Sequence, residues 1–422
     1  MKKLLYILVL SSLIGARVLS IDMKIFQLSI YRTIIVLIPF ILMYLGKKRT
    51  IKILPSGKSR TIVLFYIFWV IYSVISVLWV KDYYAWGKAV YFITSGMLVV
   101  VYIVMFIREK KDFVTIFNIF QIMVILHNVI AWFEIITVDF TYLDYPRLDY
   151  FIFVFKLGRQ PVSMMGNTNN FALLLVLGMF ISFICYKSSK SLLPKIISIA
   201  SIVSSIGLLV KTNSRANILG LIMALGIFLL LTLIKRKKTK EFLLIVGSIS
   251  IFVGIFVGIV MPTVFHNILG GLNKVLYFDF SGTDSARLNL IKNGIVFLGQ
   301  TFGFGTGAGN IEYWMANRSI YDTSQIVNMH NWWMELLTGY GVFVFVGYIW
   351  MYVTLAKGFF TAYMHNGDEF IQTAAIGLLC CMVAFLMGGN GTSSNITQEW
   401  LWVFWAVVVG TYYYIECKMV DL

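Results

Sequence analysis

Charged residues are scarce in this chain of 422 residues. Asp, Glu, Lys and Arg make up 13% of it, whereas hydrophobic residues make up 59%. A soluble domain usually carries about 25% charged residues. One aqueous core cannot hold this much apolar surface, so most of the chain must face lipid or pack within lipid. The composition excludes a soluble globular protein and predicts an all-α integral membrane protein.

Cysteine is also scarce. The four cysteines, Cys185, Cys380, Cys381 and Cys417, lie inside or at the edge of apolar runs, and no CxxC pair is present. A disulfide framework or a zinc site would need cysteines at characteristic spacings in polar segments. We therefore expect neither, and interpret the thiols as small apolar side chains.

The chain has fewer acidic than basic residues. It contains 19 acidic and 35 basic residues, which gives a net charge of +16. In a soluble protein this excess would suggest a nucleic-acid partner. In a membrane protein it indicates cytoplasmic loops rich in Lys and Arg. We therefore expect no nucleic acid among the partners.

Long apolar runs fill most of the chain. Crossing a hydrocarbon layer about 30 Å thick takes about 20 residues of helix, and the runs predict about twelve spans in a single polytopic domain, residues 1–422. The spans lie near residues 3–20, 29–45, 62–80, 88–107, 113–135, 168–186, 192–210, 215–234, 242–261, 330–354, 371–389 and 398–416. The first resembles a signal peptide, because two lysines precede its apolar run. The many spans that follow favour an uncleaved first helix.

The basic residues orient these spans. Four strongly basic segments, "GKKRTIKILPSGKSR", "REKKD", "KSSKSLLPK" and "KRKKTK", fall on the same side of the alternating spans. Lys and Arg concentrate in short cytoplasmic loops. We therefore predict that the N- and C-termini are both cytoplasmic.

Two predicted outer loops are long, residues 136–167 and 262–329, and loops of this length are usually functional or disordered. In the larger loop, a helix at about 284–299 would carry four residues on one face: Arg287, Ile291, Gly294 and Leu298. We expect an ordered cap lying on the membrane surface. The stretch "GFGTGAGN" lacks the GK[ST] ending of a phosphate-binding loop and favours a tight turn back toward the membrane.

Polar side chains collect at the outer ends of the predicted spans and in the outer loops. The candidates are Arg159, Asn169, Ser214, Arg215, Arg287, His330, Asn331 and Glu335. Each has an ordinary explanation when taken alone, since an arginine at a helix end can reach lipid headgroups and Asn331 and Glu335 can help a helix to start. One outer cavity would explain all of them together.

Arginines beside a histidine indicate a particular chemistry. The forked donors of arginine suit phosphate oxygens. A neighbouring histidine would have its pKa lowered by their charge, stay neutral near pH 7 and act as a base. The outer loops contain no DxD or HExxH motif. No metal or other cofactor is therefore required, because the arginines can neutralise a departing phosphate.

The motifs that carry these residues resemble a known family. "SRANILGLIMAL", "SARLNLIKNGIVFLGQTFGFGTGAGN" and "MHNWWMELLTGYGVFVFVGYIW" resemble, in this order, three signatures of the O-antigen ligase and Wzy polymerase superfamily. "GNTNNFALLL" resembles the Asn-x-x-Ala helix start of the family through Asn169 and Ala172, although Thr168 stands where proline is common. The resemblance covers residues 155–355 in its motifs.

The resemblance implies a GT-C-type glycosyltransferase of the bacterial cytoplasmic (inner) membrane. Its donor would be a glycan on undecaprenyl diphosphate at the outer face. Arg215 and Arg287 would bind the diphosphate, and His330 would take the proton of the acceptor hydroxyl, with inversion and without a metal. The residues implied to contact or position the substrate are Arg159, Asn169, Ser214, Asn331 and Glu335. An angle of about 140° around the helix from His330 argues against Glu335 as the base.

Several functions stay open at this point. A polymerase that extends a lipid-linked repeat unit, for a capsule, an O-antigen or a similar polysaccharide, is favoured over a ligase that moves a finished glycan to another acceptor. A transporter or flippase for the lipid-linked glycan is an alternative of another class, but such proteins usually place ionisable groups near the bilayer midplane. The fourth possible function is that of a structural component in a glycan-synthesis complex. Whether a separate protein regulates chain length also stays open.

Overall fold

Helices make up nearly all of the regular structure. The computed structural model describes residues 1–15, 18, 20–22, 27–46, 55–136, 160–237, 283–392 and 394–420. The described helices are α1 (Lys2–Ile14), α2 (Ile30–Gly46), α3 (Gly57–Ile75), α4 (Tyr83–Phe106), α5 (Lys110–Ile136), α6 (Thr168–Ser188), α7 (Leu192–Thr212), α8 (Arg215–Lys235), α9 (Thr283–Gln300), α10 (Ile311–Arg318), α11 (Trp332–His365), α12 (Glu369–Gly388) and α13 (Glu399–Val420).

Eight of the described helices are long and apolar enough to cross a membrane, namely α3 to α8, α11 and α12. They agree with eight of the twelve predicted spans and indicate a multi-pass membrane protein. α1 and α2, with 13 and 17 residues, are shorter than a typical span. α13 has 22 residues, many of them Trp and Tyr, which are less apolar than aliphatic side chains. The span predicted at 242–261 lies outside the described residues.

The region between α1 and α2 differs from the sequence prediction. α1 ends at Ile14, and Gly15 follows with a φ of 79°. Two short strands, β1 (Ser20–Asp22) and β2 (Gln27–Ser29), then pair antiparallel. The predicted first span of 3–20 was therefore too long, because the apolar run continues past the glycine that ends the helix.

Contacts at one end of the bundle join segments that were predicted to be cytoplasmic. Lys2 Nζ lies 2.7 Å from Asp112 Oδ2, which ties α1 to the start of α5. The Glu416 carboxylate accepts the Lys58 backbone N–H at 2.6 Å, which ties the end of α13 to the start of α3. These pairings fit the predicted alternation of the spans. Which end faces the cytoplasm stays a prediction.

The centre of the bundle is apolar and aromatic. α12 packs against α6, α8 and α11, and α13 packs against α4. Trp69 of α3 is fully buried, and its ring contacts Tyr340, Tyr348 and Trp402. Trp332, the first residue of α11, packs its ring 5.7 Å from that of Tyr348. This cluster fixes the N-terminal end of α11 within the bundle.

α11 is interrupted near its N-terminal end. Gly341 has a φ of 76° and a ψ of −180°, so the helical hydrogen bonds cannot continue through it. The break leaves backbone carbonyls before Gly341 and an N–H after it without helical partners. Unpaired backbone groups inside a membrane protein are costly, so other backbone groups must satisfy them.

The glycine-rich stretch Gly303–Asn310 supplies these partners. Three backbone hydrogen bonds join it to the break: Thr306 N–H to Thr338 O (2.8 Å), Gly307 N–H to Gly339 O (3.0 Å) and Val342 N–H to Gly303 O (2.9 Å). All four glycines of the stretch have positive φ, as expected for a tightly turned chain. The donors at 306 and 307 are thus used within the protein, which argues against a phosphate-binding role.

Substitution of Gly341 tests the importance of this break. A Cβ at Gly341 would lie 2.5 Å from Gly303 O, on a backbone that side chains rarely adopt. We expect Gly341→Ala to lower the free energy of unfolding by about 1–3 kcal/mol. The measurement is thermal unfolding in detergent, with Gly226→Ala as the control, because a Cβ at Gly226 in α8 meets no atom within 4 Å. Equal melting temperatures for the two variants would contradict this interpretation.

Candidate functional site

His330 lies just outside α11 rather than in its first turn. The span predicted to begin at 330 begins at Trp332, because Asn331 is the N-cap and its side chain accepts the Met334 N–H at 3.1 Å. His330 has a φ of 47°, and its backbone N–H donates to Asn328 Oδ1 at 3.1 Å. A left-handed backbone at a non-glycine residue is uncommon and is often found at functional sites.

The environment of the His330 ring favours the neutral form. Burial lowers the pKa of His330, and the positive charge of Arg287 lowers it further. The nearby backbone of Thr392 acts in the opposite direction, because it favours the protonated form, and Nδ1 of the ring is buried without a hydrogen-bond partner among the described residues. The direction is the one expected from the sequence, but burial, not arginine, is the larger cause.

α9 carries Arg287 and packs against α11. A Cβ at Gly294 would lie 2.7 Å from Thr338 Oγ1 and 2.9 Å from Met329 Cε, so this glycine allows the close approach. Four residues form the buried face: Ala286, Leu290, Asn293 and Phe297. Arg287 and Gly294, which we predicted on one face, are seven residues apart in α9 and lie beside this buried stripe; Gly294 is buried, whereas Arg287 is exposed.

A small second core holds α9, α10 and the segment before His330 together. Its buried members are Leu290, Phe297, Ile311, Trp314, Met315 and Met329. The buried side chain of Asn293 in α9 accepts the backbone N–H groups of Ile320 and Tyr321 at 2.9 and 3.0 Å. This core and these hydrogen bonds set the positions of Arg287 and His330 relative to each other.

A polar cluster joins the N-terminal ends of α6 and α8. Ser214 Oγ donates to Asn169 Oδ1 at 2.7 Å. Asn217 Nδ2 donates to Ser214 Oγ at 2.9 Å and to the Asn169 carbonyl at 3.2 Å. Two of the predicted site residues, Asn169 and Ser214, are therefore in direct contact although they lie on different helices.

The segment before α6 is held by a buried carboxylate at the end of α5. Glu134 Oε2 accepts the backbone N–H groups of Val162 and Ser163, both at 3.0 Å. Asn167 then caps α6 by accepting the Asn169 N–H at 2.9 Å. Glu134 thus contributes to the position of Asn169 from the end of α5.

Arg215 begins α8 directly after Ser214 and is exposed. Arg287 is exposed as well. Within the part of the chain that the structure describes, neither guanidinium has a hydrogen bond or an ion pair. Arg159, the third predicted arginine, lies outside the described residues. The two described arginines therefore present free donors and positive charge near the other site residues.

The loop between α12 and α13 was not predicted to belong to the site. We name its residues Gly389–Asn395 the bridging loop; Ser393 within it is not described. The Gly389 carbonyl accepts the Trp332 N–H at 3.2 Å. One side of the bridging loop thus holds the start of α11.

The other side of the bridging loop approaches the polar cluster of α6 and α8. A Cβ at Gly391 would lie 3.4 Å from Ala216 Cβ and 3.6 Å from Asn169 Cγ. Ala216 directly follows Arg215, and Thr392 directly follows Gly391. The bridging loop therefore contacts Asn169 and the start of α8 on one side and the start of α11, next to His330, on the other. Its sequence, "GNGTSSN", looks like an ordinary turn, and only its glycines hinted at a close approach.

Asn331 and Glu335 are both engaged within the protein. Asn331 caps α11, whereas the Glu335 carboxylate accepts the Ser394 hydroxyl at 2.5 Å and the Asn395 N–H at 3.4 Å. The predicted angle between Glu335 and His330 does not apply, because His330 is not helical. Glu335 contacts the bridging loop, which also contacts the first residue of α11.

The arrangement combines exposed cationic donors with a neutral imidazole and buried amides at one end of the bundle. Such a site suits an anionic group between the arginines and a hydroxyl at the imidazole. Across the described residues, no three His, Cys, Asp or Glu side chains are grouped closely enough to hold a metal ion.

The chain matches known proteins in this region and beyond it. A family model described as O-antigen ligase matches residues 199–349, which contain Arg215, Arg287 and His330. The teichuronic acid biosynthesis protein TuaE of Bacillus subtilis (strain 168) is 25% identical over 411 residues, 96% of this chain and 83% of TuaE. These two matches show that the chain is similar to proteins of an O-antigen ligase/Wzy-like family.

Proposed function

We propose that the protein is an inverting glycosyltransferase that polymerises a surface polysaccharide at the outer face of the cytoplasmic membrane. Its donor is a glycan on undecaprenyl diphosphate, and its acceptor is a lipid-linked repeat unit. The single observation that carries this proposal is that the bridging loop contacts Asn169 and the start of α8 on one side and the start of α11 on the other, with Arg287 close enough to His330 to lower its pKa.

The arginines bind the diphosphate of the donor in this proposal. Arg215 and Arg287 are exposed and have no ion-pair partner among the described residues, so their donors are available. As the glycosidic bond to the diphosphate breaks, negative charge grows on the leaving oxygen. Fixed guanidinium charges stabilise this growing charge more than they stabilise the bound substrate, which accelerates the reaction.

His330 acts as the general base. The acceptor hydroxyl gives its proton to the unprotonated ring nitrogen, and its oxygen bonds to the anomeric carbon of the donor. The bond from that carbon to the diphosphate oxygen breaks, and undecaprenyl diphosphate leaves. A direct displacement of this kind inverts the anomeric carbon, and the arginines supply the charge neutralisation without a metal.

A ligase would use the same three residues with a different acceptor. The name of the Bacillus relative refers to the biosynthesis of teichuronic acid, and we take this as support for building a polysaccharide rather than attaching a finished one. The proposal also includes the outer loop of 136–167, the cap of 262–329 and an interaction with a chain-length regulator. All three would shape the part of the site that binds the acceptor.

Reconstitution tests this function directly. Purified protein is mixed with the lipid-linked repeat unit of its own organism in the presence of EDTA, and the products are separated by size. We expect a ladder of repeats from the wild type. His330→Ala should reduce its formation by about 10²–10⁴-fold, because a general base contributes about that much. The matched control is His365→Ala at the opposite end of α11, where the Thr361 carbonyl is the only hydrogen-bond partner of the exposed ring among the described residues.

The other outcomes separate the alternatives. No ladder from any variant, but transfer to a different acceptor, would replace the polymerase by a ligase. Movement of the lipid-linked glycan across the bilayer without any transfer would make the protein a transporter. A ladder from His330→Ala as strong as that from His365→Ala would exclude His330 as the base.

Charge at α9 is tested by two substitutions on the same helix. We expect Arg287→Ala to lower kcat by about 10²-fold, the usual effect of removing one donor to a developing charge. Lys292→Ala removes the same charge one and a half turns later, where Lys292 faces Tyr321 at 5.4 Å, and should keep nearly full activity. Equal effects of both substitutions would mean that only net charge matters.

The pH profile tests the state of His330. Its pKa is lowered by burial and by Arg287, so the neutral base persists below the ordinary histidine pKa of about 6.5. As the pH is lowered, activity should therefore begin to fall only below about 6.5. In Arg287→Ala the acid limb should move to higher pH, because one cause of the lowered pKa is gone. An unchanged acid limb in that variant would contradict the proposed coupling.

A further inference from the structure

The exposed face of α9 changes character along the helix. In its N-terminal half the exposed side chains include Arg287 and Lys292, which are basic. Further along, Ile295 is 58% exposed, and Phe302, just after the helix, is 91% exposed. No Asp, Glu, Lys or Arg occurs between Lys292 and Glu312, which lie ten residues before and after Phe302. The chain thus passes from a polar segment to an apolar tip, which we define as residues 301–304, and back to a polar segment.

The apolar tip is continuous with the outward-facing surfaces of α3 and α11, which are both long and apolar enough to cross a membrane. The Tyr72 hydroxyl of α3 donates to the Phe304 carbonyl at 2.8 Å, and the Val342 N–H of α11 donates to the Gly303 carbonyl at 2.9 Å. The rings of Phe304 and Phe343 lie 6.1 Å apart. The exposed apolar side chains of the two helices near these contacts are Ile71, Val74 and Ile75 of α3 and Val342, Phe343 and Val346 of α11. On a membrane span, such a surface faces lipid.

The backbone N–H groups in and after the apolar tip all donate within the protein. Those of residues 302, 303 and 304 donate to the carbonyls of Gly299, Leu298 and Thr301. Those of residues 305 and 308 donate to the hydroxyls of Thr301 and Ser76 at 3.0 and 3.1 Å, and those of residues 306 and 307 pair with α11. Seven consecutive N–H groups, 302 to 308, therefore need no water. A loop in water has no such requirement, whereas irregular backbone at membrane depth must be satisfied by protein.

After the apolar tip, the chain returns to the end of the bundle that carries the candidate site. Asn310 Oδ1 accepts the backbone N–H groups of Lys81 and Asp82 at 2.9 and 2.8 Å, just before α4 begins. The apolar tip instead contacts α3 at Tyr72, six residues before Leu78, where the helical stretch of α3 ends. At the rise of a helix this is a distance of about 9 Å along the axis. The tip therefore lies further along the spans than Asn310 does.

We propose that residues 293–311 form a re-entrant segment whose apolar tip is inserted into the lipid leaflet next to the candidate site. The partner is the lipid, and Phe302 and Phe304 contact its acyl chains. The sequence led us to expect a cap that lies on the membrane surface. A helix that descends into the leaflet accounts for the change along its exposed face, whereas a flat helix does not. This insertion goes beyond the proposed function and does not depend on it.

The inserted tip would also set the height of Arg287. Arg287 precedes Phe302 by 15 residues, which corresponds to about 22 Å of helix. The hydrocarbon part of one leaflet is about 15 Å thick. Arg287 would thus lie beyond the hydrocarbon, at the level of lipid phosphate groups. Only this consequence is connected to the proposed function, in which Arg287 binds a lipid-linked diphosphate.

Spin labelling measures the depth of single positions. Protein in lipid nanodiscs carries one nitroxide on an introduced cysteine, in a Cys417→Ser background, since the other three cysteines are buried. Collisions with oxygen, which concentrates in hydrocarbon, are compared with collisions with a water-soluble nickel chelate. We expect Phe302→Cys to favour oxygen several-fold, like Val346→Cys on the exposed face of α11. Ala316→Cys in α10 is exposed as well and should favour the chelate.

Three positions along α9 distinguish a descending helix from a flat one. The preference for oxygen should rise in the order Lys292→Cys, Ile295→Cys and Gly299→Cys. If Phe302→Cys does not fold, as judged by size-exclusion chromatography, Gly299→Cys reports on the tip, because a Cβ at Gly299 meets no atom within 4 Å.

Two results would overturn the re-entrant segment. Equal preferences at positions 292, 295 and 299 would replace it by a helix that lies flat on the membrane. A preference for the chelate at positions 299 and 302, as strong as that at Ala316→Cys, would place the tip in water. The measurement needs no substrate, so either result would leave the proposed glycosyltransferase untouched. A failed reconstitution would in turn leave the depth measurement valid.

Discussion

The candidate site depends on the hydrogen bonds of one short loop. The bridging loop joins α12 to α13, accepts the Trp332 N–H at the start of α11 through the Gly389 carbonyl, and donates to the Glu335 carboxylate of α11 through Ser394 and Asn395. Its glycine at 391 allows close contact with α6 and α8. Without this loop, the residues on α6, α8 and α11 would be separate features of three helix ends. With it, they form one surface at one end of the bundle.

A second constraint comes from the lipid environment, which penalises every unpaired backbone group. α11 breaks at Gly341, and the glycine-rich stretch pairs with the exposed backbone on both sides of the break. The same stretch follows α9, so the pairing also fixes the helix that carries Arg287. The small core of α9 and α10 then places Arg287 beside His330. Backbone pairing and apolar packing thus position two charged or titratable groups that do not touch each other.

The sequence predicted much of this architecture, and its errors have physical causes. Eight spans followed from apolar length alone, and Arg215, Arg287 and His330 followed from polar residues at predicted outer ends. The hairpin after α1 was missed because Gly15 ends that helix inside an apolar run. The helical position of His330 was wrong because Asn331 caps α11. The bridging loop was missed because its role lies in backbone contacts between distant segments, which no local pattern reveals. The site roles of Arg215, Arg287 and His330 stay predictions, as do Arg159 and the span at 242–261.

The central claim is that a lipid-linked diphosphate binds between Arg215 and Arg287 with its sugar beside His330. The most direct measurement is a cryo-EM structure of the protein in a lipid nanodisc, with an unreactive phosphonate analogue of the donor bound. The account predicts that both guanidinium groups lie within hydrogen-bond distance of the anionic groups, with the anomeric carbon facing the His330 ring. Density for the analogue at the opposite end of the bundle, or with neither arginine in contact, would contradict it.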